Sequence, residues 1–227
     1  MQHRSLPAKV LLTGATGMVG RHVLDYLLMN PDVGEIISIG RRQSGLNNDK
    51  LLEILHEDFL DLSPFASNLA DVDVCFHCLG VYQSQVSKKA YVEITCGYQE
   101  ALTDALSAAS PEAVFVLFGA QGAKPNGKGM PFARVKGRAE NMLQATNFPR
   151  KYIFRPGYIH PTGVRKPPGA IYRLIFLPIL ARLFARKPSM GITDRNLAQA
   201  MVMIGIEASE KSTIFSNQMI REIVTPS

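Results

Sequence analysis

The stretch "AKVLLTGATGMVG", Ala8 to Gly20, constrains the fold most, because an apolar run ends in three glycines at three-residue spacing and a helical pattern follows at once. Val19, Val23 and Leu27 recur every four residues, which puts an apolar stripe on one side of a helix. Glycines at 14, 17 and 20 supply a tight turn, let a ligand approach the backbone, and bring the helix close to the strand.

The rhythm repeats along the chain. "EIISIG" from Glu35 reads as a second strand, "EILHEDF" from Glu53 as a third, and "VDVCFHCLG" from Val72 as a fourth. "EAVFVLFG" from Glu112 makes a fifth and "KYIFRPG" from Lys151 a sixth, with helices predicted over about 90–109 and from Pro131. Strands alternating with helices predict an α/β fold, a doubly wound parallel sheet of the Rossmann type. With 227 residues the chain is read as one domain, its core over about 7–160 and a helical, substrate-capping C-terminal extension over about 161–227.

In that extension "AIYRLIFLPILARLFAR", 170–186, is apolar but shorter than the roughly 20 residues a bilayer span needs, and Arg173 and Arg182 interrupt it. It reads as a helix divided at Pro178, covering a pocket, a partner or a membrane surface. A further helix is predicted from Asp194, capped by Thr193 or Asp194.

In a parallel sheet such a glycine turn cradles a dinucleotide pyrophosphate at the helix N-terminus, which assigns Gly14, Thr16, Gly17, Met18, Val19 and Gly20 to the cofactor. The second strand ends in "SIGRR" with no acidic residue, and Arg41 and Arg42 suit a ribose 2'-phosphate, so NADP(H) is favoured over NAD(H). The net charge of +6 is spread over the chain without an aromatic-interleaved basic run, which suits a phosphorylated small ligand better than nucleic acid. Three cysteines give no disulfide framework, and Cys75 and Cys78 of "CFHC" would face opposite sides of one strand, against a shared metal. His77 reads as a packed strand residue. The N-terminus shows no secretory signal, and the cytoplasm is the expected location.

In order along the chain, "LTGATGMVG", "IGRR", "DVCFHCLG", "GAQGAK", "RVKGRAE", "IFRPG" and "ITDRNLAQAM" resemble the atypical and extended short-chain dehydrogenase/reductases, which include epimerase-like proteins. The nearest likeness is to the small oxidoreductase-like group typified by Tat-interacting protein 30. The resemblance implies that Asp58 and Phe59 lie near the adenine. It implies further that Cys78, Leu79 and Gly80 line the cofactor, that Pro156, Gly157 and Tyr158 pass the nicotinamide, and that Lys136 is the active-site lysine on the ribose hydroxyls. A homodimer through two crossover helices is implied as well.

The catalytic pair departs from that pattern. The family's serine falls on Gly119 or Ala120 and its tyrosine on Phe132, four residues before Lys136. Neither site carries a donor, and a positioned general acid is worth on the order of 10² to 10⁴ in rate. Tyr82, Tyr158, His160 and Lys136 itself are the substitutes in reach of the argument. Three functions stay open: an NADP(H)-binding protein using its cofactor for sensing or structure, an oxidoreductase or epimerase-like enzyme with a nonstandard donor, and a partner- or membrane-surface-binding protein acting through 170–186.

Overall fold

The computed structural model describes residues 7–163, 190–209 and 211–225. The 170–186 stretch, with its helix and its kink at Pro178, lies outside the described residues.

Seven parallel strands form one sheet in the order β3-β2-β1-β4-β5-β6-β9. They are β1 (Ala8–Thr13), β2 (Val33–Gly40), β3 (Leu51–Leu55), β4 (Val74–His77), β5 (Val114–Phe118), β6 (Arg150–Arg155) and β9 (Thr213–Ser216). Two short strands, β7 (Tyr158–His160) and β8 (Gly191–Thr193), pair parallel in a separate ribbon.

Strand sides alternate into two cores. Val10, Leu12, Phe76, Val116 and Phe154 pack with α1 (Met18–Met29) and α6 (Asp194–Glu207), while Leu11, Cys75, Phe115 and Ile153 pack with α4 (Tyr98–Ala109) and α5 (Pro131–Gln144). Burial on both faces is why these strands read as continuous apolar runs. Cys75 belongs to one core and Cys78 to the other, as the period of two requires. All three cysteines are free, and no cluster able to hold a metal exists among the described residues.

The C-terminal stretch does more than extend the domain. Strand β9 adds to the sheet beside β6, with Phe215 stacked on Phe154 at 4.8 Å, and α6 packs along α1. Thr193 caps α6, its Oγ1 accepting from the Asn196 N–H at 3.1 Å. Asp194, buried, ties this end to the rest by accepting from Thr162 N–H and Oγ1 at 3.0 and 2.7 Å. The third strand begins at Leu51, two residues before the expected start. The helix expected over about 90–109 is continuous from α3 (Lys88–Val92) into α4, through a π turn at Glu93–Gly97. A short α2 (Ala66–Leu69) and a final α7 (Asn217–Val224) complete the set.

Candidate active site

The sheet order reverses between β1 and β4, so a crevice opens at their carboxyl ends, where ligands bind in open α/β sheets. Gly14 leaves β1 with φ +81°, and a Cβ there would fall 2.6 Å from the Cys78 carbonyl carbon and 2.7 Å from the Leu79 nitrogen. A Cβ on Gly20 would fall 2.1 Å from the Gly14 oxygen. The turn is therefore locked against the end of β4 by contacts only glycine permits.

Gly17 is the N-cap of α1 and makes no side-chain cap, which leaves the first-turn N–H groups of Met18, Val19 and Gly20 without helical partners. Thr16, Gly17 and Met18 are half-exposed at that end, and Gly80 faces open space. Backbone donors at an accessible helix N-terminus fit a dinucleotide pyrophosphate.

Arg41 and Arg42 are exposed directly after β2. Asp58 is exposed in the turn after β3, where its Oδ1 accepts from the Leu60 N–H at 3.0 Å. Phe59 is buried and stacked on Tyr98 at 5.4 Å, so its side chain serves the core. Burial pushes the Cys78 thiol up to about 12, which keeps it a protonated wall residue.

Lys136 projects from α5 into a pocket lined by His77, Leu79, Thr95, Gln99, Gly119 and Glu140, together with neighbouring apolar groups. Burial pushes its ammonium below the ordinary lysine value, while the neighbouring Glu140 carboxylate acts in the opposite direction. His77 shares a 2.8 Å hydrogen bond between its Nδ1 and Thr13 Oγ1, and burial lowers its pKa to about 3, with the Lys136 charge adding to the effect. Its ring is neutral at ordinary pH. Gln99 donates from Nε2 to the Ala139 carbonyl at 2.7 Å, and its buried Oε1 has no hydrogen-bond partner. Thr95 lies in the π turn and Gln99 two residues beyond it, and both line the pocket, in keeping with the frequent occurrence of such turns at functional sites.

The positions to which the resemblance assigns a serine and a tyrosine hold no hydroxyl. Phe132 sits half-exposed in the first turn of α5, one turn before Lys136. Gly119 is buried between β6 and Glu140, where a Cβ would come within 3.0 Å of the Phe154 oxygen and 3.2 Å of Glu140 Oε1. Ala120 is half-exposed. Pro156 accepts from the Gln121 N–H at 2.9 Å, and Gly157 passes under Met190, whose oxygen a Cβ would approach to 2.4 Å. Tyr82 is exposed, Tyr158 and His160 lie on β7 with ring centroids 6.4 Å apart, and none of the three lines the Lys136 pocket.

Sequence reasoning left out Thr95, Gln99 and Glu140, and read His77 as packing alone. The available signal was spacing: Glu140 stands four residues after Lys136, which puts both on one helix face. Nothing in the sequence marks Arg155 as its partner. Arg155 Nε donates to Glu140 Oε1 at 2.9 Å and its Nη2 to Oε2, a bidentate pair behind the pocket.

Residues 10–146 match the model of the NAD dependent epimerase/dehydratase family. "Protein fmp52-1, mitochondrial" of Aspergillus terreus is 29% identical over 217 residues, 89% of each chain. "Protein fmp52, mitochondrial" of Emericella nidulans is 31% identical, with 88% of each chain covered. Among solved structures, MoeE5 in complex with UDP-glucose and NAD superposes with a TM-score of 0.69 at 17% identity, over 92% of this chain and 75% of that one. The expectation of a cytoplasmic protein is corrected by the two fungal relatives, whose names place them in mitochondria. An apolar leader reports on secretion alone, whereas mitochondrial leaders are amphipathic and Arg-rich. The matched family model, the relatives and the glycine-locked turn agree: the chain belongs to the NAD dependent epimerase/dehydratase family.

Proposed function

We propose that this protein binds NADP(H) in the crevice between β1 and β4 and keeps the cofactor clamp while lacking the family's usual proton donor. The observation that carries this reading is the face of α5, where Phe132 stands one turn before a pocket-lining Lys136. A bound nicotinamide dinucleotide would supply hydride. The chain's own groups supply the rest: first-turn N–H groups for the pyrophosphate, Arg41 and Arg42 for a 2'-phosphate, and the Lys136 ammonium for ribose hydroxyls. MoeE5 is described with NAD, so the preference for NADP(H) rests on the two arginines alone.

On this reading the cofactor serves sensing or structure, because hydride transfer to an ordinary ketone leaves an alkoxide that Phe132, Gly119 and Ala120 cannot protonate. A tightly held dinucleotide stabilises the fold by mass action, about 2.7 kcal/mol at a hundredfold excess over Kd. A second reading is favoured by one observation: burial lowers the proton affinity of Lys136, and such a lysine can itself act as an acid toward a substrate needing little assistance. The location we propose is mitochondrial, after the names of the fungal relatives.

The test is NADPH oxidation against a panel of ketones and quinones. The first reading expects bound NADPH with no turnover, and activity created by Phe132→Tyr with Ala120→Ser. Turnover by the unaltered protein that disappears in Lys136→Met would replace it with the second.

A further inference from the structure

Glu140 is a charged side chain with only 2% of its surface exposed, in a helix whose neighbouring positions Arg134 and Arg138 face solvent. Burying a carboxylate is costly unless it is paired and hydrogen-bonded. Arg155, the arginine of "FRPG", pairs with it in bidentate fashion. A side chain at 119 would crowd the carboxylate of this pair, since Glu140 Oε1 lies 3.2 Å from the position of a Gly119 Cβ and the Phe154 oxygen 3.0 Å from it. On the other side, Glu140 lines the same pocket as Lys136, one helical turn away. Gly119 is thus not only an absent serine but the clearance that admits this carboxylate.

We infer that Glu140, fixed by Arg155, is a positioning residue for Lys136, the carboxylate one helical turn away that holds the lysine ammonium in the shared pocket. The inference rests on the reading of Lys136 as the ribose clamp. The remaining titratable groups around Lys136 cannot take over this role. His77 of β4 is neutral, and Cys96 of the π turn is a buried thiol that burial pushes up, so it carries no charge at neutral pH. Thr95 and Gln99 offer dipoles, and the open Gln99 Oε1 is an acceptor without a donor. Glu140 is therefore the one full negative charge among the pocket's lining groups. Burial drives Lys136 toward the neutral form and Glu140 is the leading influence against it.

The direct experiment follows the Lys136 signal by NMR of the reductively ¹³C-methylated protein across pH, with the signal assigned by its loss in Lys136→Arg. The unaltered chain is compared with Glu140→Gln and with Glu140→Gln/Arg155→Gln. The double variant keeps a hydrogen-bonded neutral pair and leaves no buried arginine alone, so it covers the case in which the single variant does not fold. The expected result is a fall in Lys136 proton affinity of about tenfold in Glu140→Gln, one unit on the pH scale, and a smaller fall in the double variant, where the Arg155 charge leaves with the carboxylate. The pH at which NADPH binding begins to weaken would then fall by the same one unit in Glu140→Gln. A Lys136 titration that is the same in all three proteins overturns the inference. If the unaltered chain binds no NADPH at any pH, the dinucleotide reading fails, and the lysine titration still decides whether Glu140 holds the charge.

Discussion

At the residue scale, His77 and Gly119 each carry a consequence that burial makes measurable. His77 is neutral in the fold down to about pH 3, whereas the unfolded chain takes up a proton near 6.5. Its contribution is complete above pH 6.5 and is lost as pH falls toward 3, because the unfolded state then binds the extra proton. The slope in that window is at most about 1.4 kcal/mol per pH unit. Urea unfolding at pH 7, 5.5 and 4.5 checks this, and His77→Gln is expected to flatten the dependence relative to the unaltered chain; parallel curves would remove His77 as its source. Gly119→Ser is expected to cost about 1–3 kcal/mol by crowding Phe154 and Glu140. Ala120→Ser, at a half-exposed site, is expected to leave the melting temperature within error. Equal stability of the two serine variants would show that position 119 has room after all.

At the scale of elements, the turn between β1 and α1 is where fold and ligand share one constraint. Gly20→Ala would drive a methyl into the Gly14 carbonyl at 2.1 Å, which backbone cannot yield without moving α1 away from β4. The expected outcome is a loss of about 1–3 kcal/mol or more in thermal or urea unfolding, together with loss of dinucleotide affinity. Retained affinity in Gly20→Ala would mean that the turn does not form the pyrophosphate cradle. This element was legible because three glycines between an apolar run and an amphipathic helix admit few other arrangements. Two others were not. Strand β9 is four residues at the sheet edge, too short for periodicity to register. The edge strand β3 starts at Leu51, since among the described residues it pairs with β2 alone and register there follows the pairing of Leu51 with Ile36.

For the molecule as a whole, the doubly wound parallel sheet and the glycine turn at its first strand followed from a pattern repeated along the chain, whereas the strand order came only with the pairing. The polar floor of the pocket did not. Glu140 and Gln99 look like ordinary surface residues of helices in a linear reading, and only the packing of α4 and α5 over β4, β5 and β6 turns them inward. A bidentate pair between positions 140 and 155 is likewise a product of tertiary packing, which no local spacing encodes. Location was misjudged for a different reason: the feature sought, an apolar leader, reports on one route out of the cytoplasm and is silent on the others. What unites the molecule, on the reading proposed above, is a dinucleotide crevice at the sheet's reversal, with a glycine turn, two exposed arginines and Lys136 as its binding groups. Parallel fluorescence titrations of the purified chain with NADPH and NADH, repeated on Arg41→Ala/Arg42→Ala, test that account most directly. The account expects saturable binding of both with NADPH tighter by about tenfold or more, as a 2'-phosphate paired with arginine would give, and loss of that preference in the double variant. Absence of binding, or equal affinities unchanged by the two substitutions, would contradict it.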